Sequence, residues 1–227
     1  MTPTPAASSR GAPKRAAIFD LDGTLVDSMP FVIESFIHAV EPYRGRPSVA
    51  EVLTHLGGPL ETCIRNLLGP EGAASVPAAK ARLLEYEHHT EEKLIPFPGS
   101  REMLEELRSR GVRLGIWTGR DRWSAERILG VHDLARFFPS IVCGDDLPSH
   151  KPDPAGLFRA IELAGVGVTD AVFMGDADAD VLGGHAAGVH TIFVHHGRQA
   201  PPSVHSRATE VFAEPGPAYA ALLRHFA

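Results

Sequence analysis

Apolar positions along this chain change their spacing twice, and the changes mark its architecture. The run Ala16-Ala17-Ile18-Phe19 ends abruptly in Asp20, Asp22 and Gly23, which predicts a strand over residues 15–20 buried on both faces. From Ser28 the spacing turns helical: Phe31, Val32, Ser35, Phe36, Ala39 and Val40 recur on one face until Pro42 closes the helix. Ser48 and Glu51 form a capping-box signature ahead of Val49, Val52, Leu53 and Leu56, and Gly57-Gly58-Pro59 breaks that second helix. Ile64, Leu67 and Leu68 mark a third helix, and Pro77 suits the first turn of a fourth with Ala79, Leu83 and Tyr86 inward. No strand pattern interrupts the stretch from Ser28 to Pro96.

After Pro98 strands and helices alternate. Ser100 is the expected cap of a helix through Met103, Leu104 and Leu107 that stops at Gly111, ahead of a strand over 112–117. A strand over 141–143 precedes a helix with Leu157, Phe158 and Ile161. Another over 171–174 precedes a helix over 181–187, a strand over 191–194 follows, and a helix over 217–226 closes the chain. Strands separated by helices of this length imply right-handed crossovers. The fold class is therefore α/β: a Rossmann-like, doubly wound parallel sheet with an all-helical cap inserted after its first strand. The expected division is a disordered tail over 1–14, a core over 15–27 and 97–227, and a cap over 28–96.

Composition narrows the function. A chain of 227 residues, 44% hydrophobic and 22% charged, is ordinary globular protein with a core to bury. The net charge of -6 and pI near 6.0 provide no basic field for nucleic acid or anionic lipid, so neither is an expected partner. No apolar run approaches the ~18 residues of a membrane span, and the first fourteen residues lack the apolar stretch of a signal peptide. Cys63 and Cys143, without CxxC spacing, offer neither a disulfide framework nor a zinc knuckle. A cytoplasmic location is the expectation.

In an open parallel sheet the ligand crevice lies beyond the carboxyl ends of the strands. The first strand delivers Asp20, Asp22, Gly23 and Thr24 there, and the second delivers Thr118, Gly119 and Arg120. Lys151 follows the third, and Asp176, Asp178 and Asp180 follow the fourth. Carboxylates about 5 Å apart repel by roughly 3 kcal/mol per pair at an effective dielectric near 20, so a cation is required. Hard oxygen donors beside a phosphate point to Mg²⁺, whereas zinc would want His or Cys. The acidic run is no calcium loop, because Val181 stands where the sharp-turn glycine belongs and Ala187 where the bidentate glutamate belongs. Neither GxxxxGK[ST] nor a strand-following GxGxxG is present.

AAIFDLDGTLVDS, then Thr118 at a strand end, then HKPDP around Lys151, then VFMGDADAD together resemble the four ordered motifs of the haloacid dehalogenase superfamily. The resemblance runs from about Arg15 to His195, and the inserted helices match that family's small cap. It implies that Asp20 is the nucleophile and a metal ligand, kept ionised by Mg²⁺ and Lys151. It implies that Asp22 protonates the leaving alcohol, then deprotonates the attacking water, with its backbone carbonyl on the metal. Thr118 and the Gly119 amide would bind phosphoryl oxygens, Lys151 would neutralise their charge, Asp176 would complete the metal shell, and Asp180 would hold Lys151 or a water.

Asp178 and the pair His195-His196 receive no role from the resemblance. Where the family often has Asn after the second-motif threonine, Gly119-Arg120 stands, and Arg120 is a candidate to reach the substrate. In the cap, Arg65 or the Gly57-Gly58-Pro59 turn is the expected contact to an anionic leaving group. Asp22 favours phosphate ester chemistry over dehalogenation. The chain most resembles the phosphoglycolate phosphatase type, implying Mg-dependent hydrolysis of a small phosphorylated metabolite. The rivals are a sugar-phosphate mutase, which would keep the phosphoenzyme for a second alcohol, and a non-enzymatic phosphate-binding or signalling module.

Overall fold

The computed structural model describes residues 15–56, 60–90 and 94–227. The tail 1–14 and the Gly57-Gly58-Pro59 turn lie outside them. Six parallel strands form the main sheet: β1 (Ala16–Phe19), β4 (Arg113–Trp117), β5 (Ser140–Val142), β6 (Ala171–Gly175), β7 (His190–Val194) and β8 (Glu210–Phe212), in the order β5-β4-β1-β6-β7-β8. β1 pairs in parallel with β4 on one side and β6 on the other, with Phe19 opposite Ile116 and Met174. The chain therefore reverses its direction of strand addition at β1, the switch point where such sheets open a crevice.

Alternation along β1 feeds both faces. Ala17 and Phe19 join the larger core with α5 (Ser100–Ser109), α6 (Arg122–Val131) and α10 (Pro215–His225), while Ala16 and Ile18 join the core under α7 (Ala155–Ala164). On the second face α8 (Asp178–Ala187) lies beside α7. A third apolar cluster belongs to α1 (Met29–Arg44), α2 (Val49–His55), α3 (Leu60–Leu68) and α4 (Val76–Thr90), which pack on one another through Phe36, Val40, Val52, Ile64, Leu67 and Leu83. The inserted block thus carries its own core.

Several local expectations are corrected. Strand pairing does occur at the edge of the inserted block: β2 (Val26–Asp27) and β3 (Ile95–Pro96) form a two-residue antiparallel ribbon that ties its entry to its exit. Two residues give no periodicity to read. Pro42 lies inside α1, which runs on to Arg44, and the His38 carbonyl that Pro42 cannot serve accepts from Arg82 Nη2 at 3.4 Å. Gly99, at φ 84, rather than Ser100 caps α5. In α2 only Val52 of the expected stripe is fully buried, although Ser48 caps it through the Glu51 amide as its signature predicts. The short helix α9 (Pro202–His205) and β8 were not foreseen.

Candidate active site

β1 ends at Asp20, whose amide donates to the Met174 carbonyl at 2.9 Å and whose side chain is buried. The next turn reverses the chain through Gly23 at φ +66. A Cβ there would lie 2.9 Å from Asp176 Oδ1 and closer still to Oδ2, so glycine is needed both for the left-handed backbone and for the approach of the two acidic loops. Tyr219 Oη on α10 donates to the Thr24 carbonyl at 2.5 Å, and His196 Nε2 donates to the Gly23 carbonyl at 2.6 Å while its ring stacks on Phe97.

Lys151 arrives from the segment after β5. Its ammonium donates to Asp20 Oδ1 at 2.6 Å and Asp180 Oδ1 at 2.7 Å, and lies over the faces of Trp117 and Phe173. Asp180 Oδ2 accepts the amides of Asp176 and Ala177 at 3.1 and 2.9 Å, which fixes the turn that presents Asp176. Asp178, two residues earlier at the start of α8, pairs with Arg198 at 2.7 Å, and Arg198 also donates to the Asp176 carbonyl at 3.0 Å. Asp178 is thereby a tether for the acidic loop. Thr118 follows β4 directly and is buried, with its hydroxyl accepting the Arg120 amide at 3.2 Å, and Gly119 beside it is exposed.

Oxygen atoms of Asp20, Asp176 and Asp180 lie within 4.8 Å of one another. Burial, only partly offset by Lys151 and reinforced by the charges of Asp180 and Asp22, pushes Asp20 up to about 7. Burial and the neighbouring charges of Asp20, Asp180 and Asp22 push Asp176 up to about 9. Burial opposes the charge on Lys151, but Asp180 and Asp20 outweigh it and its pKa is raised. One ammonium is therefore too little positive charge for these carboxylates. The donor set fits a hard divalent cation held by Asp20 and Asp176, with Asp180 already engaged by Lys151 and two amides.

A cleft of about 440 Å³ opens over this cluster, lined by Asp20, Asp22, Thr118, Gly119, Arg120, Lys151, Asp176 and Asp180 from the sheet side and by Ser28, Val32 and Glu87 from the inserted block. Eight of the eleven positions that the sequence places at the strand ends therefore line one cleft, and Gly23, Thr24 and Asp178 do not. Arg65 does not join them: it is exposed on α3 and lines a separate cleft with His55, Asn66, Gly69 and Pro70. Arg120 is bound to Asp22 by two hydrogen bonds. The roles of His196 and Arg198 had no sequence signal, because each depends on a partner from another segment.

A model of the haloacid dehalogenase-like hydrolases matches residues 17–194. The chain is 33% identical over 196 residues to a phosphoglycolate phosphatase of Pseudomonas fluorescens, covering 83% of this chain and 72% of that protein. It is 34% identical over 179 residues to pyrophosphatase PpaX of Halalkalibacterium halodurans, covering 78% and 81%. Its fold superposes with a TM-score of 0.78, at 25% identity, on a Thermotoga maritima protein provisionally described as a beta-phosphoglucomutase, covering 92% of this chain and 99% of that one. The chain belongs to the haloacid dehalogenase-like hydrolases.

Proposed function

We propose that the protein is a Mg²⁺-dependent phosphatase that hydrolyses a small phosphomonoester through an aspartyl phosphate on Asp20. The observation that carries this reading is the single ammonium of Lys151 joining Asp20 to Asp180, beside an Asp176 carboxylate with no ion-pair partner among the described residues, at the switch point of the sheet. Asp20 and Asp176, with the Asp22 backbone carbonyl, would hold the metal. Bound there, Mg²⁺ supplies charge neutralisation for Asp20 and for the phosphoryl oxygens.

An Asp20 oxygen attacks phosphorus, the ester P–O bond breaks, and the leaving oxygen takes a proton from Asp22. Water then attacks the aspartyl phosphate, gives its proton to Asp22, and releases inorganic phosphate with Asp20 restored. Thr118 and the Gly119 amide orient the phosphoryl oxygens, and Lys151 balances their charge. The inserted helices, residues 28–96, act as the cap over the cleft, with Ser28, Val32 and Glu87 facing the substrate. We assign no leaving-group role to Arg65.

Phosphoglycolate is the first substrate to test, in view of the Pseudomonas relative, and pyrophosphate, a phosphoanhydride, the second, in view of PpaX. The cytoplasm is the proposed compartment: both cysteines are buried and neither forms a disulfide, which suits reducing surroundings, and no helix among the described residues is long and apolar enough to cross a membrane. The test is phosphate release with magnesium from phosphoglycolate, pyrophosphate, sugar phosphates and nucleoside monophosphates. Release no faster than from the Asp20→Asn variant would reject the reading. Phosphorylated Asp20 that transfers to a sugar phosphate faster than to water would favour a mutase, and a stable phosphoaspartate without turnover would favour a signalling module.

A further inference from the structure

Arg120 stands beside Asp22, the residue assigned above to protonate the leaving group. Its Nε and Nη2 donate to both carboxylate oxygens of Asp22, at 2.5 and 2.7 Å, and its Nη1 donates to Ser124 Oγ at 3.0 Å. This is a two-pronged, charge-assisted pair, the strongest geometry open to a guanidinium and a carboxylate. The partners are only partly shielded, with side-chain exposures of 19% and 30%, so a ligand in the cleft can reach them.

Two consequences follow from the geometry. With both oxygens accepting from Arg120, Asp22 is turned to the guanidinium and must leave it before it can hand a proton to a departing alcohol. Whatever holds the leaving-group acid also lies next to the leaving group. Among the described residues lining the cleft, the cations are Arg120 and Lys151, and Lys151 is engaged by Asp20 and Asp180 on the phosphate side. Glu87 enters from α4, so of the two walls the Arg120 wall is the one that suits an anion.

We propose that Arg120 both restrains Asp22 and reads the substrate: a leaving alcohol that carries a carboxylate takes the guanidinium and releases the Asp22 carboxylate, which takes a proton from solvent in the open cleft and then passes it to the leaving oxygen. The substrate class is then the phosphate ester of a short hydroxy acid. A neutral ester of the same size leaves the Arg120–Asp22 pair closed and turns over slowly. This inference rests on the phosphatase reading above.

Steady-state kinetics with magnesium on phosphoglycolate and on ethylene glycol monophosphate, whose leaving alcohol is of similar size but lacks the carboxylate, test it. The wild type should favour phosphoglycolate in kcat/KM by about tenfold or more, the factor that one charge-assisted hydrogen bond is worth. Arg120→Gln should raise KM for phosphoglycolate, raise kcat for the neutral ester, and so erase the preference, while Arg120→Lys should retain part of it. Equal kcat on both esters in the wild type overturns the proposal whether or not a variant folds. A parallel fall on both esters in Arg120→Gln, with the ratio unchanged, also overturns it, because that is the mark of a purely structural residue. No phosphate from either ester or from p-nitrophenyl phosphate would instead sink the phosphatase reading, and the proposal with it.

Discussion

Replacing Gly23 by alanine tests how the two acidic loops are held together. The backbone there is left-handed, at φ +66, which costs an alanine about 1–2 kcal/mol before any contact is considered. The added Cβ would also sit 2.9 Å from Asp176 Oδ1 and nearer to Oδ2, well inside the ~3.5 Å of ordinary packing, so the carboxylate must swing away from Asp20. The melting temperature should fall by roughly 2–8 °C for a chain of this size. Magnesium affinity should fall about tenfold or more, as it does when a ligand loses its positioning partner. Gly130→Ala is the control: it lies in α6, nothing stands within 4 Å of its added Cβ, and it should gain about 0.5–1 kcal/mol. Scanning calorimetry and calorimetric magnesium titration read both quantities. A Gly23→Ala protein equal to wild type in both would refute the reasoning.

Three other outcomes are expected. In metal-free protein Asp20 at about 7 and Asp176 at about 9 are raised above the unfolded carboxylates. Their stability contribution is therefore complete below about pH 4 and is lost as pH rises through 7 and then 9, with a ceiling of about 2.7 kcal/mol per pH unit between about pH 5 and 7. Melts at pH 5, 7 and 9 should show this fall in chelator and a flatter profile with magnesium; a metal-free midpoint that climbs across this window contradicts the assignment. Asp22→Asn should lower turnover by about a hundredfold or more while keeping magnesium affinity, since its side chain does not enter the metal set; equal losses in kinetics and titration would show that its role is mis-assigned. Lys151→Met leaves Asp20 and Asp180 without the ammonium bonded at 2.6 and 2.7 Å and should cost the metal-free protein about 3–5 kcal/mol in denaturant unfolding.

Local patterns were legible in the sequence, and so was the gathering of Asp20, Thr118, Lys151 and Asp176 at the strand ends, because a parallel sheet brings those ends together. The run Ala16 to Phe19 was legible because a strand covered on both faces needs no polar position, and its break at Asp20 marks the crevice. Ser48 and Glu51 declared a helix start through a bond three residues long. By contrast, Arg120 meets Asp22 across 98 residues and His196 meets Gly23 across 173, and no spacing encodes such meetings. The ribbon of β2 and β3 was too short to have a period. Arg65 was chosen as a cation in the inserted helices, but which face of α3 turns to the cleft depends on how that block sits on the sheet, and Arg65 lines another cleft. Pro42 was read as a stop because its own helix cannot serve the His38 carbonyl; Arg82, 44 residues on, serves it instead.

The most direct measurement is acid-quenched mass spectrometry of the peptide containing Asp20 during turnover of phosphoglycolate with magnesium. Asp20 should carry the mass of one phosphoryl group, which disappears when the ester is exhausted and never forms in Asp20→Asn. A protein that releases phosphate at full rate with no phosphorylated Asp20, or with the label on another residue, would contradict the central claim.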